Sequence, residues 1–271
     1  MVLIFVTSIR LGMRIATKFD SSILGILFVT SFLISGFQIP FPRQKESGNT
    51  IRVVTTNVEL TNRNVPGLHE YLLDHKVDVL MMQEVKGGDQ SPAAKLQRKL
   101  PNWHSTSVGE LAILSRWPLT DIRTTPLRSL PGRYILEATV QAPYPFCAIT
   151  THWSVPQISK GLKGLTYSIQ AQQHDYEDTI AVLKNQSLPV VLGGDFNNPP
   201  RNSLSRQLSD VALDAFSDGG FGFGWTYPAS RPMVRIDHLF CSKPFYATEA
   251  MVGPSFGSDH KSLFAEFHLW H

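Results

Sequence analysis

The chain has 271 residues, of which 42% are hydrophobic and 17% are charged, and its formal net charge is +3. This composition excludes disordered, collagen-like and coiled-coil proteins, and a chain of this length buries a core without cross-links. Two cysteines, Cys147 and Cys241, are too few for a disulfide framework or for a zinc site built from cysteines. Residues 51–271 contain 20 basic and 20 acidic residues, so a polyanion would need a local basic patch there.

The first predicted element is an uncharged, largely apolar segment at residues 21–42. As a helix, its apolar centre at residues 23–39 would span about 25 Å, close to the thickness of a bilayer core. Residues 1–20 form a basic flank, and residues 43–50 form a polar linker. The excess of basic residues before the segment favours an amino terminus in the cytoplasm and a following domain on the other side of the membrane.

Three alternatives for this segment are open. No A-x-A cleavage pattern follows it, so we favour an uncleaved membrane anchor over a cleaved export signal. Translation from Met13 instead of Met1 would leave a compact basic flank of the kind that export signals have. A buried core helix is the third, least favoured alternative. An anchor places the domain outside the cytoplasm, and a cleaved signal makes it secreted or periplasmic.

From residue 51 onward, short β-rich runs alternate irregularly with helical patterns. The runs predict strands at residues 51–56, 77–82, 111–114, 134–140, 146–151, 190–192, 236–240 and 263–267. A helix is predicted over residues 168–184, where Ile169, Gln173, Tyr176, Ile180 and Leu183 share one face. A shorter helix is predicted over residues 65–75, capped by Asn64. Strands outnumber helices, which favours one α/β domain over residues 51–271 with two packed sheets covered by helices.

Polar side chains that bind metal ions or phosphate lie at the ends of these predicted strands. They are Asn57, Glu84, His152, Asp195, Asn197, Asp237, Asp259 and His260. Because strand ends converge at one edge of such a sandwich, we expect these side chains to meet. The oxygen ligands Glu84 and Asp259 suit Mg²⁺ or Mn²⁺ rather than zinc. A bound ion of this kind, together with an activated water, hydrolyses phosphodiesters or phosphomonoesters.

The same residues suggest a division of roles at such a site. Asp195 would orient or deprotonate the attacking water, while Asn57, Asn197 and His152 would donate hydrogen bonds to phosphate. Asp237 and His260 fit an Asp–His pair, in which the carboxylate fixes the tautomer of the imidazole.

The order of these motifs resembles the endonuclease/exonuclease/phosphatase superfamily of metal-dependent phosphoesterases. The matching motifs are TTN at 55–57, QE at 83–84, AILSRWP at 112–118, TTH at 150–152, GGDFN at 193–197, RIDHLF at 235–240 and GSDH at 257–260. The resemblance implies a four-layer α-β-β-α sandwich and a divalent ion near Glu84, with Asn57 and Asp259 on the metal side. It also implies that His260 acts as a general base or as a charged clamp.

Departures from the family patterns narrow the expected function. At the position of His152, the sequence resembles deoxyribonuclease-like and sphingomyelinase-like members, which carry histidine there. Abasic-site endonucleases typically carry tyrosine at this position. The signatures of the inositol polyphosphate 5-phosphatases are absent from the sequence. We expect a monomeric, nuclease-like phosphodiesterase, for which nucleic acid and phospholipid are both open as substrates. A phospholipid or small phosphomonoester hydrolase is the alternative, and a catalytically silent binding module is the alternative from a different class.

A few further residues have two interpretations each. Glu110 either pairs with His152 or lies exposed at the end of a strand, and the exposed position is favoured. Residues 218–228 are expected to form a loop at the rim of the site, with Trp225 beside it. Arg231 and Arg235 face phosphate or form structural salt bridges. His238 is expected to be structural, because strand alternation turns it away from Asp237.

Overall fold

The computed structural model describes residues 36–40 and 50–269. The predicted basic flank, most of the predicted membrane segment and nearly all of the linker lie outside these residues. Within the described ranges, we find no helix that combines the length and the apolarity needed to cross a membrane. The chain divides into two compact units, Met1–Gln38 and Ile39–His271, and every element named below belongs to the second unit.

The described residues of the second unit form two six-stranded sheets. The first sheet contains β1 (Ile51–Asn57), β2 (Val79–Gln83), β3 (His104–Val108), β4 (Leu111–Ser115), β11 (Phe245–Val252) and β12 (Leu263–Leu269). The second contains β5 (Leu119–Pro126), β6 (Tyr134–Val140), β7 (Phe146–His152), β8 (Val190–Asp195), β9 (Leu213–Asp214) and β10 (Asp237–Cys241). The strand orders are β11-β12-β1-β2-β4-β3 and β5-β6-β7-β8-β10-β9.

The helices are α1 (Leu68–Asp74), α2 (Pro92–Lys99), α3 (Gly161–Lys184), α4 (Ser203–Ser209) and α5 (Ala215–Gly219). Single turns of 3₁₀ helix at Gly88–Gln90 and Ile158–Lys160 precede α2 and α3.

Three buried apolar clusters hold these elements in four layers. The central cluster lies between the sheets and contains Val53 of β1 and Leu136 of β6. On the outer face of the first sheet, Val54 packs with Leu72 of α1 in the second cluster. Leu183 of α3 belongs to the third cluster, on the outer face of the second sheet. Adjacent residues of β1 thus serve two different cores, as strand alternation requires. The predicted α/β sandwich with two sheets is confirmed.

The strand directions bring several predicted site residues to one edge of the sandwich. β1 runs parallel to β2, and Asn57 is in register with Gln83, the residue before Glu84. β7 runs parallel to β8, and His152 is in register with Asp195. β10 is antiparallel to β8, so its first residue, Asp237, also lies beside Asp195. Two parallel pairs and one antiparallel strand therefore place residues that are distant in sequence at a common edge.

The prediction for α3 is wrong in two respects. The helix begins at Gly161, and its buried face contains Gly164, Ser168, Ala171, Gln172, Asp175, Thr179, Val182 and Leu183. Of the predicted face, Leu183 is buried and Tyr176 and Ile180 pack against the third cluster, but Ile169 is 61% exposed. Hydrogen bonds explain the change, because Asp175 accepts the backbone N–H of Ser154 and Thr179 accepts the indole N–H of Trp153. Polar tertiary contacts therefore orient this helix in place of apolar periodicity.

The shorter predicted helix is also corrected at its start. α1 begins at Leu68, after Gly67, whose φ is +76°. Glycine adopts this left-handed conformation without strain. Asn64 does not cap the helix, and its Oδ1 instead accepts a hydrogen bond from Nζ of Lys95 at 3.2 Å.

A buried ion pair connects β9 with the segment before β10. The guanidinium of Arg235 donates to Oδ1 of Asp214 at 2.8 Å, and His238 lies 3.6 Å from the other carboxylate oxygen. Arg235 is therefore structural, as one of its two interpretations proposed, and so is His238. Burial alone would raise the pKa of Asp214, but Arg235 and His238 hold it well below its usual range.

Replacing Asp214 with asparagine is expected to lower the free energy of unfolding by about 3 kcal/mol at pH 7, because it leaves Arg235 buried without its counter-charge. A carboxylate with a lowered folded pKa stabilises the protein above its unfolded pKa of about 4. That contribution is lost as the pH falls toward the folded value. Urea unfolding at several pH values should show the difference between wild type and variant narrowing below about pH 4. A constant difference would contradict this assignment.

Candidate active site

Asn57 joins two carboxylates at the edge of the sandwich. Its Nδ2 donates to Oε1 of Glu84 and to Oδ2 of Asp195, each at 3.0 Å. Its Oδ1 accepts the backbone N–H of Glu59 at 2.9 Å. The amide is fully buried and therefore fixes the positions of Glu84 and Asp195. Direct contact of Asn57 with an ion or with phosphate remains a prediction.

The carboxylate of Glu84 is held in position by hydrogen bonds but still has unused acceptor positions. It follows β2 with a φ of +61°, an uncommon backbone conformation for a residue with a side chain. Its Oε2 accepts the backbone N–H of Leu60 at 3.0 Å, and its Oε1 accepts from Asn57. An ionised carboxylate has about four acceptor positions, so Glu84 retains capacity for a cation. The side chain is 21% exposed, which leaves it open to ligands.

Two further carboxylates, those of Asp259 and Glu59, interact electrostatically within this cluster. Burial raises the pKa of Asp259, and the negative charges of Glu59 and Glu84 raise it further against the opposing effect of His260. Asp259 therefore interacts electrostatically with both Glu84 and His260, and its place among the metal ligands stays a prediction. No sequence pattern identifies Glu59, because it lies in a loop two residues after Asn57 and belongs to no matching motif.

Asp195 lies at the centre of the cluster, at the end of β8. Its Oδ1 accepts the backbone N–H of Asn197 at 2.8 Å. Its Oδ2 lies 3.5 Å from Nε2 of His152 and 3.8 Å from Nε2 of His260. Burial raises the pKa of Asp195, and the nearby charge of Asp237 adds to this effect. One carboxylate thus faces both histidines of the site.

Asn197 follows Asp195 with a φ of +47°. Its side-chain amide donates to the backbone carbonyl of Trp153 at 3.1 Å. An amide nitrogen carries two N–H groups, so one donor position is left for a ligand. Gln172 of α3 holds this loop in place, because its Nε2 donates to the carbonyl of Asn197 at 3.0 Å.

His260 forms the predicted pair with Asp237. Its Nδ1 lies 3.0 Å from Oδ2 and 3.2 Å from Oδ1 of the buried carboxylate. This contact places the proton on Nδ1 and leaves Nε2 facing Asp195. Burial alone would lower the pKa of His260, but Asp237, Asp195 and Asp259 together raise the pKa to about 10.

Aromatic rings of the loop at 218–228 lie close to this pair. The ring of Tyr227 has its centroid 4.8 Å from that of His260. Trp225, the residue expected beside the site, stacks on Phe223 with centroids 4.4 Å apart. The aromatic contact with His260 is therefore made by Tyr227, two residues further along the chain.

His152 is held by an acidic partner on one side and has a free nitrogen on the other. Its Nδ1 lies 2.8 Å from Oε1 of Glu110, which also lies 3.3 Å from Nε of Arg133. Burial would raise the pKa of Glu110, but His152 and Arg133 outweigh it and lower the pKa. The preference for an exposed Glu110 was wrong. Only the spacing of the deoxyribonuclease-like pattern favoured this pair, since a lone glutamate at a strand end gives no signal by itself.

Neither ring nitrogen of His152 makes a hydrogen bond of standard geometry among the described residues, but Nδ1 has the 2.8 Å contact with Glu110 and Nε2 has none as short. This Nε2 lies 3.8 Å from Oε1 of Glu84 and 3.5 Å from Oδ2 of Asp195. A buried polar atom without a partner is costly unless a ligand satisfies it. His152 therefore presents Nε2 to the space beside the two carboxylates, and this nitrogen is a donor when the ring is protonated on both nitrogens.

Ligand atoms of Asp195, Asp237 and His260 also lie within 4.8 Å of one another, a spacing compatible with a metal ion. The Nδ1 of His260 is already committed to Asp237, however, and Asp237 is completely buried. His260 is therefore hydrogen-bonded to Asp237 and only faces Asp195, at 3.8 Å, while the partly exposed Glu84 is more accessible to a cation.

Comparison with known families agrees with this arrangement. The family model described as "Endonuclease/Exonuclease/phosphatase family" matches residues 54–260, so the chain belongs to this family. Members of the family are hydrolases that act on phosphoester bonds, and they generally depend on divalent metals. No significant match was found among curated protein sequences.

Solved structures share the fold at low sequence identity. A family member from Bacteroides vulgatus has a TM-score of 0.68 and 19% identity, covering 82% of this chain and 100% of that chain. A mannosyl-6-phosphatase from Bacteroides thetaiotaomicron has a TM-score of 0.64 and 17% identity, covering 81% and 100%. TDP2 from D. rerio, complexed with single-stranded DNA product, has a TM-score of 0.63 and 15% identity, covering 82% and 100%. At these identities the similarity concerns the fold alone.

Proposed function

We propose that the chain is a Mg²⁺- or Mn²⁺-dependent phosphodiesterase that hydrolyses its substrate with an activated water. The observation that carries this proposal is the buried Nε2 of His152, which has no hydrogen-bond partner in the described part of the chain. It lies beside the carboxylates of Glu84 and Asp195, where the doubly protonated ring would donate to a ligand. Donors next to carboxylates are what a phosphoryl group with a bound cation requires. A purely structural histidine would have both nitrogens satisfied.

The donor set fits a hard divalent ion. Glu84 and Asp259 would hold the ion, because oxygen ligands suit Mg²⁺ and Mn²⁺. Asn57 would join them through the lone pair of its amide oxygen that the N–H of Glu59 does not use. Cys147 and Cys241 are buried, so neither competes as a soft ligand. When bound, such an ion polarises the phosphoryl group and stabilises the charge of the leaving oxygen.

The remaining side chains of the site would act on the substrate from the side opposite the ion. Asp195 would orient the attacking water and accept its proton, since its Oδ2 faces the centre of the cluster. His152 and the second N–H of Asn197 would donate to phosphate oxygens. His260, oriented through Nδ1 by Asp237, would present Nε2 to the reacting group as a base or as a charged clamp.

The proposal predicts an activity that chelation abolishes. The purified full chain should hydrolyse bis(p-nitrophenyl) phosphate in the presence of Mg²⁺ or Mn²⁺, and EDTA should remove the activity. Adding back excess Mg²⁺ should restore it. Hydrolysis that continues undiminished in EDTA would overturn the metal-dependent mechanism.

We further propose that the enzyme is monomeric and that residues 21–42 anchor or export it. The apolar character of these residues and the basic flank before them support this placement. A reporter fused after His271 should be active only outside the cytoplasm, and the full chain should stay in membranes after a carbonate wash. A reporter active in the cytoplasm would contradict the proposal.

A further inference from the structure

We propose that the rim of the active site docks on an anionic lipid surface and that the substrate is a phosphoester carried by a lipid. This inference rests on the proposed function, because it names the class of substrate for that site. The amino-terminal half of α3 lies beside the site and has exposed side chains that the hydrolytic mechanism does not use.

The first half of α3 extends beyond the catalytic edge. Asp175 accepts the backbone N–H of Ser154 at 2.8 Å, and Ser154 follows His152 by two residues. Gln172 donates to the carbonyl of Asn197 at the same edge. Asp175 and Gln172 therefore mark the level of the active site on this helix. Residues 161–171 precede that level and form about 16 Å of helix at 1.5 Å per residue.

This projecting part of α3 packs against its own preceding loop. The backbone N–H of Gln157 donates to Oγ of Ser168 at 2.7 Å. A β-carbon on Gly164 would lie only 2.2 Å from the carbonyl oxygen of Gln157, so glycine is needed for this close approach. The loop covers one face of the helix and leaves the opposite face to solvent.

The uncovered face is aliphatic. Leu162, Leu165 and Ile169 are 83%, 45% and 61% exposed, and Val155 in the preceding loop is 51% exposed. The three helical residues are spaced three and four apart, so they lie on one face. Clustered exposed aliphatic side chains of this size mark a protein or membrane contact surface.

A second set of exposed apolar side chains lies on the other segment beside the site. Phe221 and Met233 are 71% and 64% exposed. The backbone N–H of Met233 donates to the carbonyl of Tyr227, whose ring contacts His260. Apolar side chains thus extend from both segments that adjoin the catalytic residues.

The charges of these two segments favour an anionic partner. Residues 153–174 and 219–236 contain no aspartate or glutamate, but they carry Lys160, Lys163 and Arg231 in addition to Arg235, which is buried and paired with Asp214. Aliphatic side chains flanked by cations are the combination that binds the interface of an anionic bilayer. Single-stranded nucleic acid is bound by basic grooves with successive aromatic stacking platforms. Of the six exposed apolar side chains named above only Phe221 is aromatic, so they offer no such succession.

Fluorescence of the full chain tests the docking surface independently of activity. The native cysteines are both buried, so Leu162→Cys can be labelled with a polarity-sensitive dye. Leu73→Cys provides the matched control, because Leu73 is 54% exposed on α1. Vesicles of phosphatidylcholine and phosphatidylglycerol should shift the emission of the dye at 162 to shorter wavelength and leave the dye at 73 unchanged. Equal shifts at both positions, or none at 162, would overturn the proposal.

Kinetics then test the substrate class. The ratio of the hydrolysis rate of phosphatidylglycerol in vesicles to that of bis(p-nitrophenyl) phosphate should fall roughly tenfold in the Leu162→Ser, Ile169→Ser double variant. Leu73→Ser should keep the wild-type ratio. An unchanged ratio would overturn the proposal, as would an equal loss of DNA hydrolysis, which would indicate a nucleic-acid surface. If the emission shifts with rising protein concentration in the absence of vesicles, Leu162, Leu165 and Ile169 form a contact between copies of the chain, and the proposal is overturned.

The two proposals fail in distinguishable ways. If wild type does not hydrolyse bis(p-nitrophenyl) phosphate with Mg²⁺, the proposed function is wrong, whatever the dye at 162 reports. If it does hydrolyse this soluble diester but ignores vesicle lipids, only the lipid substrate is wrong.

Discussion

Replacing His260 with alanine is expected to lower the rate of phosphodiester hydrolysis roughly 10²- to 10⁴-fold, the usual range for a positioned acid or base. The reason is geometric, because Asp237 holds Nδ1 at 3.0 Å and directs Nε2 toward the centre of the cluster. Either role of this nitrogen, general base or charged clamp, is lost with the ring. Steady-state kinetics should show the loss mainly in kcat, while the Mg²⁺ concentration for half-maximal rate stays near wild type.

The partner of His260 provides the sharper test. Asp237→Asn should also be severe, since the amide favours the wrong tautomer of the imidazole. The double variant should lose much less than the product of the two single losses, because residues that act as one unit are strongly non-additive. His174→Ala, at an exposed position on α3, is the control and should behave as wild type. Independent, multiplying losses at Asp237 and His260 would mean that the pair has been given the wrong role.

Asp195→Asn is expected to lower the rate roughly 10³- to 10⁵-fold, in the range of catalytic carboxylates elsewhere. The carboxylate accepts hydrogen bonds from Asn57 and from the backbone of Asn197, and it faces both histidines. The amide keeps the shape but removes the proton acceptor, and its NH₂ group would oppose the donor of Asn57. Circular dichroism should show an intact fold, so that the kinetic loss reports on chemistry.

A carboxylate on the surface calibrates this result. Asp74 is exposed at the end of α1, so Asp74→Asn should retain wild-type kinetics. Retention of more than about a tenth of the wild-type rate in Asp195→Asn would remove Asp195 from the water-activating role.

The interior of the fold was predictable from the sequence, and the edges of the sheets were not. All eight predicted strands are present, with ends shifted by a few residues. The four missed strands, β3, β5, β9 and β11, are the outermost strands of the two sheets. In β3 and β5 most side chains are exposed, so no apolar run marks them. Hydrophobic patterns detect strands with two buried neighbours, whereas edge strands are defined by pairing alone.

The residues of the functional site also divide into those that the sequence predicts and those that it does not. Residues that end buried strands, such as Asn57 and Asp195, were found because a polar residue after an apolar run is conspicuous. Glu59 and Glu110 lie in short loops, where acidic residues are ordinary, and only three-dimensional proximity gives them a place in the cluster. The face of α3 was mistaken for a related reason, since buried polar contacts orient the helix and leave Ile169 exposed.

The Mg²⁺ concentration that gives half-maximal hydrolysis tests the assignment of the metal to Glu84 most directly. Glu84→Gln removes one charged ligand and should raise this concentration roughly tenfold or more, with activity partly rescued by high Mg²⁺. Glu70→Gln, an exposed change on α1, should leave it unchanged. An unaltered half-saturation in Glu84→Gln, with wild-type turnover, would contradict a metal-dependent centre at this edge of the sandwich.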